Sequence, residues 1–403
     1  MKKPKSNVPK PKMWLYYPIC WMCCLLSKVC FGLKITGREQ LPKDGPLLVL
    51  VSHQGMMDFL FTFAALRGRK AQFVATQRQF RNKVLRWFYT RLGAIPKLQF
   101  KTDARCVMNI LRVLKNDGTI VLYPAGQTSM WGIPGNMAPS IAHLAKKAGA
   151  PVLTVSLRGG FFSAPRFGGL RFGKSEARME LTFTAEQLKS LPESEIYRVL
   201  QDRLYYDEYQ WQEETGALFR GKNLAEGYDQ MLICCPKCGK TGTWKSQGDA
   251  VTCTACGNGG VLGRDLHMRP AKEGDKVFPT LKEWYAWQEE QVIEQVETPG
   301  FVMEEPVVCR TFDEETGTYR DAGQGVLRLD REAIGYYGIY DGEAVELVVH
   351  HAHLPGLSAD PGAYVEMAFE EQGLLRFMTD SKYAVAFMKL AQEYLYRQTI
   401  VES

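Results

Sequence analysis

Hydrophobic and polar positions between residues 35 and 222 follow two alternating patterns. Short unbroken apolar runs, typical of strands buried on both faces of a parallel sheet, fall at 47–51, 71–75, 119–123 and 152–157. Apolar positions recur with the period of a helix at 81–92, 104–115 and 139–147, and a further helical stretch at 191–211 closes the region. Strands that alternate with helices predict an α/β domain with a mainly parallel sheet flanked by helices.

The pattern changes after residue 323, where short alternating runs predict a β meander. Asp341-Gly342 supplies a hairpin turn between two of the runs. A final predicted helix carries apolar side chains on one face, namely Ala384, Phe387, Met388, Ala391 and Leu395. In topology, strands followed by one amphipathic helix resemble a pleckstrin-homology or GRAM-like module. We therefore predict a β-rich α+β module over 323–403, preceded by a linker region at 269–322.

The N-terminus joins a basic tail to an apolar, aromatic segment. Residues 1–12 hold five lysines and no acid, and residues 13–26 include two tryptophans and two tyrosines. As a helix, this segment is about 21 Å long, shorter than the roughly 30 Å hydrocarbon core of a bilayer. A signal peptide is the alternative, but no A-x-A-like cleavage site follows. We predict that residues 1–34 bind anionic membrane lipids through an interfacial helix, at the cytoplasmic face, as a peripheral or monotopic protein.

Charge and cysteine usage narrow the class of protein. The net charge is +6, of which the tail supplies five units, so the remaining chain has no overall basic footprint and no nucleic-acid partner is expected. Four of the eleven cysteines lie between residues 20 and 30 in an apolar segment, and four more form two C-x-x-C pairs. This usage indicates a reduced, intracellular protein.

The two C-x-x-C pairs predict a metal site in residues 223–268. Cys235 and Cys238 form the first pair, Cys253 and Cys256 form the second, and a glycine follows each pair. Four thiolates in two short loops are the ligand set of a tetrahedral structural zinc, and a disulfide or redox pair is the alternative. Acidic and basic residues balance across this segment, which favours a structural or protein-contact zinc ribbon over a nucleic-acid-binding one.

Candidate chemistry begins where the first predicted strand ends. Ser52 and His53 follow that strand, at the edge where open α/β sheets place their sites. Asp58 lies five residues further on and can turn back to orient the imidazole, as in a general-base pair. The H-x-x-x-x-D spacing is by itself a weak signal, so the rest of the chain has to decide its meaning.

Four segments together resemble the motifs of the glycerolipid acyltransferase family, typified by lysophosphatidic acid acyltransferases. His53 to Asp58 matches the family's H-x-x-x-x-D motif. Residues 93–97 are similar to the second motif but lack its usual arginine. Residues 123–129 are similar to the third motif, which is commonly F-P-E-G-T-R-S, and residues 150–155 are similar to the fourth. The motifs occur in the family's order and cover roughly residues 30–215.

The resemblance implies direct acyl transfer. His53 would deprotonate a hydroxyl of a lysophospholipid acceptor, such as 1-acylglycerol 3-phosphate, and Asp58 would orient His53. The donor would be an acyl thioester of acyl carrier protein or coenzyme A. The residues implied in substrate binding are Lys97, Lys101, Gly126, Gln127 and Thr128, with backbone amides of the Gly126 loop as candidates for stabilising the oxyanion.

Two departures from the third motif leave an alternative open. Ala125 replaces the motif's glutamate and Gln127 replaces its arginine, and glutamine lacks the charged, bidentate grip of arginine on phosphate. Either Lys97 and Lys101 take over the phosphate, or the acceptor is not a simple phosphomonoester. The competing hypotheses are a catalytically altered acyltransferase-fold protein with a lipid-binding or regulatory role and, with less support, a zinc-ribbon nucleic-acid protein.

Overall fold

The computed structural model describes residues 8–98, 103–135, 137–313, 316, 318–354 and 356–401. Contacts divide the chain into two compact units. Unit 1 comprises Met1–Pro165 with Leu170–Arg220, and unit 2 comprises Arg166–Gly169 with Gly221–Ser403. Unit 1 contains the predicted α/β region, and unit 2 contains the paired cysteines and the C-terminal meander.

Unit 1 alternates strands and helices along most of its length. Its strands are β1 (Lys34–Thr36), β2 (Leu47–Val51), β3 (Gln72–Thr76), β4 (Ile95–Lys97), β5 (Thr119–Leu122), β6 (Val152–Arg158) and β7 (Glu176–Phe183). Its helices are α1 (Met13–Val29), α2 (Asp58–Ala65), α3 (Lys83–Arg91), α4 (Ala104–Lys115), α5 (Ser140–Ala148), α6 (Gly160–Ser163), α7 (Ala185–Ser190), α8 (Glu193–Leu204) and α9 (Glu208–Thr215).

The seven strands form one sheet in the order β1-β7-β6-β2-β5-β3-β4. All neighbouring pairs are parallel except β6 and β7. The prediction of a mainly parallel α/β sheet is therefore confirmed. Because β2 lies at the centre of the sheet, its carboxyl end is flanked by the ends of β5 and β6.

Strand β2 is buried on both faces, as its unbroken apolar run predicts. Leu48 and Leu50 belong to a core with α4, α5 and α8. Leu47, Val49 and Val51 belong to a second core with α1 and α2. Successive side chains of a strand point to opposite faces, so one strand serves both cores.

Helix α1 covers the predicted N-terminal segment and buries Tyr16, Cys20, Cys23 and Ser27 along one stripe. The Tyr16 hydroxyl donates to the Arg69 carbonyl at 3.2 Å, which fixes the helix to the chain just after α2. Across the described part of the chain, no helix combines the length and the apolar character that crossing a membrane requires.

The stretch 191–211 forms two helices and not the single helix predicted. Helix α8 ends at Leu204, and the Asp207 side chain caps α9 by accepting from the backbone N–H groups of Tyr209 and Gln210 at 3.1 and 3.0 Å. Tyr205 and Asp207 have extended backbone, so the chain leaves the helical path between α8 and α9.

Unit 2 contains two antiparallel sheets. Its strands are β8 (Trp244–Gln247), β9 (Ala250–Cys253), β10 (Gly259–Leu262), β11 (Met268–Pro270), β12 (Val302–Asp313), β13 (Thr318–Asp330), β14 (Ala333–Tyr340), β15 (Glu343–His350), β16 (Ser358–Asp360), β17 (Tyr364–Phe369) and β18 (Gly373–Met378). Its helices are α10 (Leu281–Glu297) and α11 (Ala384–Val401). The small sheet has the order β11-β10-β9-β8, and the large one has the order β15-β14-β13-β12-β18-β17-β16.

The large sheet begins before the predicted boundary at residue 323. Residues 269–322, expected to be a linker, contain α10, the central strand β12 and the start of β13. Strand β12 is missing from the prediction because its first half, Val302–Pro306, has the sequence V-M-E-E-P and contains no buried residue. Its apolar and polar residues do not alternate as in a half-buried strand. The predicted turn at Asp341-Gly342 is confirmed, since both residues have positive φ and join β14 to β15. The resemblance to a pleckstrin-homology or GRAM-like module remains a prediction.

Candidate active site and cysteine cluster

His53 and Asp58 form a hydrogen-bonded pair at the carboxyl end of β2. The strand ends at Val51 and α2 begins at Asp58, so residues 52–57 turn the chain back. His53 Nδ1 donates to Asp58 Oδ2 at 2.8 Å, which leaves Nε2 as the ring nitrogen that can accept a proton. The His53 side chain is 23% exposed, whereas that of Asp58 is 1% exposed. A partly exposed imidazole held by a buried carboxylate has the arrangement of a general base.

One oxygen of the Asp58 carboxylate accepts three hydrogen bonds. Besides His53 Nδ1, Oδ2 accepts from the backbone N–H groups of Gln54 at 2.6 Å and Gly55 at 3.0 Å. Oδ1 is buried and has no hydrogen-bond partner within the described parts of the chain. A Cβ at Gly160 would lie 2.6 Å from this oxygen, so the glycine leaves the space that the carboxylate occupies.

Tyr123 lies against the His53 ring, with the ring centroids 4.5 Å apart and the planes 33° apart. Thr62 Oγ1 donates to the Asp58 carbonyl at 2.8 Å, so the Tyr123 hydroxyl, 2.9 Å from Thr62 Oγ1, is the donor in that contact. Burial, together with the nearby Asp58 charge, raises the pKa of Tyr123 well above its ordinary value of 10.0. The neutral phenol therefore holds the imidazole plane without adding charge to the site.

The loop that follows β5 contacts His53, two residues after β2. Strands β5 and β2 are neighbours, and the Ser129 N–H donates to the His53 carbonyl at 3.2 Å. Gly126 has φ +70° and donates its N–H to the Tyr123 carbonyl at 3.1 Å, which closes a tight turn. The Gly126 N–H is thus engaged within the turn, and the use of this loop's backbone amides for an oxyanion remains a prediction.

The remaining predicted substrate-binding residues lie at different distances from the pair. Gln127 and Thr128 belong to the same loop, and the Thr128 hydroxyl is buried with no hydrogen-bond partner among the residues that the structure describes. Lys97 ends β4, three strands from β2, which corresponds to about 14 Å at the usual strand spacing. Its Nζ donates to the Leu98 carbonyl at 3.1 Å. Lys101 lies outside the described residues, and the substrate-binding roles remain predictions.

Two further residues at the site give no signal in the sequence. The Tyr206 hydroxyl donates to the His53 carbonyl at 2.9 Å. Glu208 is fully buried, and its carboxyl oxygens accept from the Gly159 N–H at 2.8 and 3.1 Å. Burial raises the pKa of Glu208 to about 8, an increase that the nearby Arg158 guanidinium reduces. Both residues sit at the break between α8 and α9, where the sequence pattern predicts an uninterrupted helix.

The four paired cysteines of unit 2 converge on one point. The thiol sulfurs of Cys235, Cys238, Cys253 and Cys256 all lie within 4.8 Å of one another. The Cys235–Cys256 and Cys238–Cys253 sulfurs are 3.7 and 3.9 Å apart. Four thiolates at the usual zinc–sulfur length of about 2.3 Å form a tetrahedron with edges of about 3.8 Å. A disulfide needs about 2.05 Å between its sulfurs, so these separations fit a shared metal and not disulfides.

The two C-x-x-C pairs have the same backbone hydrogen bonds. The glycine after each pair, Gly239 or Gly257, has φ near +70° and donates to the carbonyl of the pair's first cysteine at 2.8 or 2.9 Å. The N–H of that cysteine, Cys235 or Cys253, donates to the carbonyl five residues ahead at 3.0 or 2.7 Å. Asn258 Nδ2 also lies 3.5 Å from the Cys235 sulfur. The donor set and its supporting contacts therefore suit a tetrahedral zinc.

Part of the sequence is similar to a known protein family. Residues 32–158 match the family model described as Acyltransferase. They carry an acyltransferase family domain. This domain contains the His53–Asp58 pair and the Tyr123–Ser129 loop, and it ends with β6.

The acyltransferase domain has relatives in plants and bacteria. The 1-acyl-sn-glycerol-3-phosphate acyltransferase BAT2, chloroplastic, of Brassica napus is 26% identical over 31% of this chain and 37% of its own length. The corresponding chloroplastic LPAT1 of Arabidopsis thaliana is 24% identical over 32% and 36%. The enzyme of the same name from Bacillus subtilis (strain 168) is 22% identical over 32% and 63%. The chain thus spans between about a third and just under two thirds of these curated relatives.

A solved structure is similar over part of the chain. The crystal structure of the 1-acyl-sn-glycerophosphate acyltransferase PlsC from Thermotoga maritima is 22% identical, with a TM-score of 0.40, and the match covers 47% of this chain and 78% of that one.

Proposed function

We propose that this protein is an acyltransferase that moves a fatty acyl group from a thioester donor to a hydroxyl of a lysophospholipid. The observation that carries the proposal is the His53–Asp58 hydrogen bond, which places a partly exposed imidazole at the carboxyl end of the central strand. The acyltransferase family match over residues 32–158 includes both residues.

In the proposed reaction, His53 Nε2 takes the proton of the acceptor hydroxyl. The hydroxyl oxygen then attacks the thioester carbonyl carbon, and the tetrahedral intermediate collapses as the carbon–sulfur bond breaks. The imidazolium returns its proton to the leaving thiolate, so the products are an ester and a free thiol. Asp58 holds the Nδ1–H tautomer and stabilises the imidazolium as it forms. No protein nucleophile is required, because the acceptor hydroxyl is the nucleophile.

The acceptor class is proposed from the names of the relatives. Three of them are named 1-acyl-sn-glycerol-3-phosphate acyltransferases, which supports 1-acylglycerol 3-phosphate as the first acceptor to test. Ala125 and Gln127 give the loop no cation for a phosphate, so Lys97 and Lys101 are the proposed phosphate ligands. The donor is acyl carrier protein or coenzyme A carrying the acyl chain.

We also propose that the protein works at the cytoplasmic face of a membrane, as a peripheral or monotopic protein. Helix α1 supports this because its outward face is apolar and aromatic, with Trp14 and Trp21 more than 60% exposed. Tryptophan is a residue of the membrane interface. The second unit would hold one structural zinc through its four cysteines, and this zinc would take no part in the acyl transfer.

The test is an assay of the full chain with lysolipid acceptors, in which thiol release is measured from acyl-coenzyme A and from acyl carrier protein. His53→Ala and Asp58→Asn should each lower turnover by about 10² to 10⁴. His143→Ala is the matched control, because His143 is an exposed histidine of the same unit that bonds Glu193. Near-native turnover in a folded His53→Ala protein would overturn the mechanism. Lipid binding without turnover in the unchanged chain would instead support the altered, lipid-binding alternative.

A further inference from the structure

Helix α3 presents apolar and basic side chains to solvent together. No residue of α3 is buried, and its most exposed apolar side chains, at 38–64%, are Val84, Leu85, Trp87 and Phe88. An amphipathic helix of a globular domain normally buries its apolar stripe against the core. An apolar face left exposed in this way indicates a binding surface.

The exposed face of α3 continues onto α1. The Trp14 and Trp87 rings meet edge to face, with centroids 6.2 Å apart. The Lys12 N–H donates to the Arg91 carbonyl at 2.7 Å, which ties the two helices together. Apart from Lys28, the large exposed side chains of α1 are apolar as well, namely Trp14, Tyr17, Trp21, Met22, Leu25, Leu26 and Val29. We call the exposed side chains of Met13–Val29 and Lys83–Arg91 the α1–α3 surface.

The two sequence segments that contain this surface carry charged side chains of one sign. Residues 59–102 contain ten lysines and arginines and no aspartate or glutamate, and residues 1–38 also contain no acid. On α3, Arg86 Nε donates to the Phe80 carbonyl at 2.6 Å, and the Arg91 guanidinium lies 4.1 Å from the centre of the Trp87 ring. A carbonyl and an aromatic ring are neutral partners, so these contacts do not cancel the positive charge. The net charge of +6 for the whole chain does not show that these basic residues are concentrated in two segments.

We propose that the α1–α3 surface binds the anionic face of a lipid bilayer, with its aromatic side chains at the interface and Lys83, Arg86 and Arg91 against the headgroups. This inference deepens the membrane association proposed above and rests on it. Basic residues beside tryptophan, phenylalanine and leucine are the composition of helices that lie in the membrane interface. An acidic protein partner would match the charge, but it would leave unexplained an apolar face that extends over two helices.

The position of α1 relates this surface to the catalytic pair. Helix α1 packs on α2, the helix that begins at Asp58, within one shared core. Met56 and Phe59, which lie on either side of the start of α2, are 54% and 46% exposed. A lysolipid acceptor held at the bilayer interface would therefore lie one helix layer from His53.

The experiment is sedimentation of the full chain with neutral phosphatidylcholine vesicles and with vesicles of equal parts phosphatidylcholine and phosphatidylglycerol. The α3 charge variant is Lys83→Gln/Arg86→Gln/Arg91→Gln. The matched control changes three exposed lysines of α4, α5 and α7, as Lys115→Gln/Lys147→Gln/Lys189→Gln. Each cation at an anionic surface strengthens partitioning about fivefold, so the α3 variant should lose between about tenfold and a hundredfold on the anionic vesicles. It should bind neutral vesicles as the unchanged chain does, and the control should lose little on either.

A second variant, Val84→Ser/Leu85→Ser, tests the apolar part and should weaken binding to both kinds of vesicle. Because α3 buries no side chain, thermal unfolding of these variants should match that of the unchanged chain. If the unchanged chain binds neither vesicle, the proposed membrane association fails together with this inference. If the chain binds and the α3 variants bind equally well, only this inference fails. If vesicle binding is kept while turnover falls with acyl carrier protein alone, α3 docks an acidic protein and the inference is overturned.

Discussion

The hydroxyl of Tyr206 donates a hydrogen bond to the main-chain carbonyl of His53 at 2.9 Å, across 153 residues of sequence. The same carbonyl accepts from the Ser129 N–H at 3.2 Å. The backbone of the proposed general base is thus held from two directions, by the loop after β5 and by the segment between α8 and α9. The Tyr206 hydroxyl contacts the main chain of His53 and not its imidazole, so we expect Tyr206 to position His53.

Replacing Tyr206 with phenylalanine should lower kcat several-fold and leave KM for the thioester donor nearly unchanged. The hydroxyl contributes one hydrogen bond, so its loss should cost about 1 kcal/mol of stability. Tyr205→Phe is the matched control, since the Tyr205 side chain is 53% exposed. Equal kinetics for the two variants would show that the Tyr206 hydroxyl has only a structural role.

Replacing Gly160 with alanine should displace the Asp58 carboxylate. The added Cβ would lie 2.6 Å from Asp58 Oδ1 and 3.1 Å from Gln54 Oε1. We expect turnover to fall by at least about tenfold, with about 1–3 kcal/mol of destabilisation from overpacking. Gly135→Ala is the control, because a Cβ there meets nothing within 4 Å. Unchanged turnover in Gly160→Ala, measured beside the control, would contradict the tight packing of Gly160 on Asp58.

Replacing Glu208 with glutamine should flatten the dependence of stability on pH. Burial raises the pKa of Glu208 from 4.5 to about 8, so the folded protein keeps a proton that the unfolded chain loses. The contribution of Glu208 to the free energy of unfolding is fully present below pH 4.5 and is lost as the pH rises to about 8. The loss is up to about 1.4 kcal/mol per pH unit. The stability of the glutamine variant relative to that of the unchanged protein should therefore increase as pH rises.

Thermal unfolding from pH 5 to 8 measures that difference. Glu195→Gln, a change at an exposed glutamate of α8, is the control and should leave the slope intact. Parallel curves for the unchanged chain and Glu208→Gln would show that Glu208 does not carry the proton.

The cysteine cluster should hold one zinc per chain. Its sulfur separations of 3.7 and 3.9 Å match a tetrahedral thiolate site, and removal of the metal should lower the unfolding temperature of the chain. Elemental analysis after purification without chelators measures the zinc content. Cys235→Ser/Cys253→Ser should lose the metal, whereas Cys30→Ser, which changes a cysteine outside the cluster, should keep it. Full zinc content in the double variant would place the metal elsewhere.

Several elements of the fold and the site follow from the sequence because their signals are local. The apolar run 47–51 is a buried strand, residues 104–115 are a helix with the predicted bounds, and Asp341-Gly342 is the predicted turn. His53 and Asp58 are close in sequence, so their spacing alone allows the hydrogen bond that the structure contains. The two C-x-x-C pairs likewise predict the convergence of four sulfurs.

Other features follow only from the tertiary structure. The first half of β12 lacks the apolar alternation of a half-buried strand, yet β12 becomes the centre of its sheet through its pairing with β13 and β18. Helix α3 has an apolar period like that of a buried helix, yet it lies exposed, because periodicity defines an apolar face and not what covers it. Lys97 is the last residue of a motif-like segment, but it lies on β4, three strands from β2.

The sequence by itself determined the strand–helix alternation, the His53–Asp58 pair and the paired cysteines, since each depends on neighbours within one element or one turn. Only the tertiary structure decided that Tyr206, Gly160 and Glu208 support that pair. Their contacts with His53, Asp58 and Gly159 join residues about 50 to 150 positions apart. The local periodicity of apolar residues does not predict such contacts. They arise when the ends of β2 and β6 and the break before α9 are packed together.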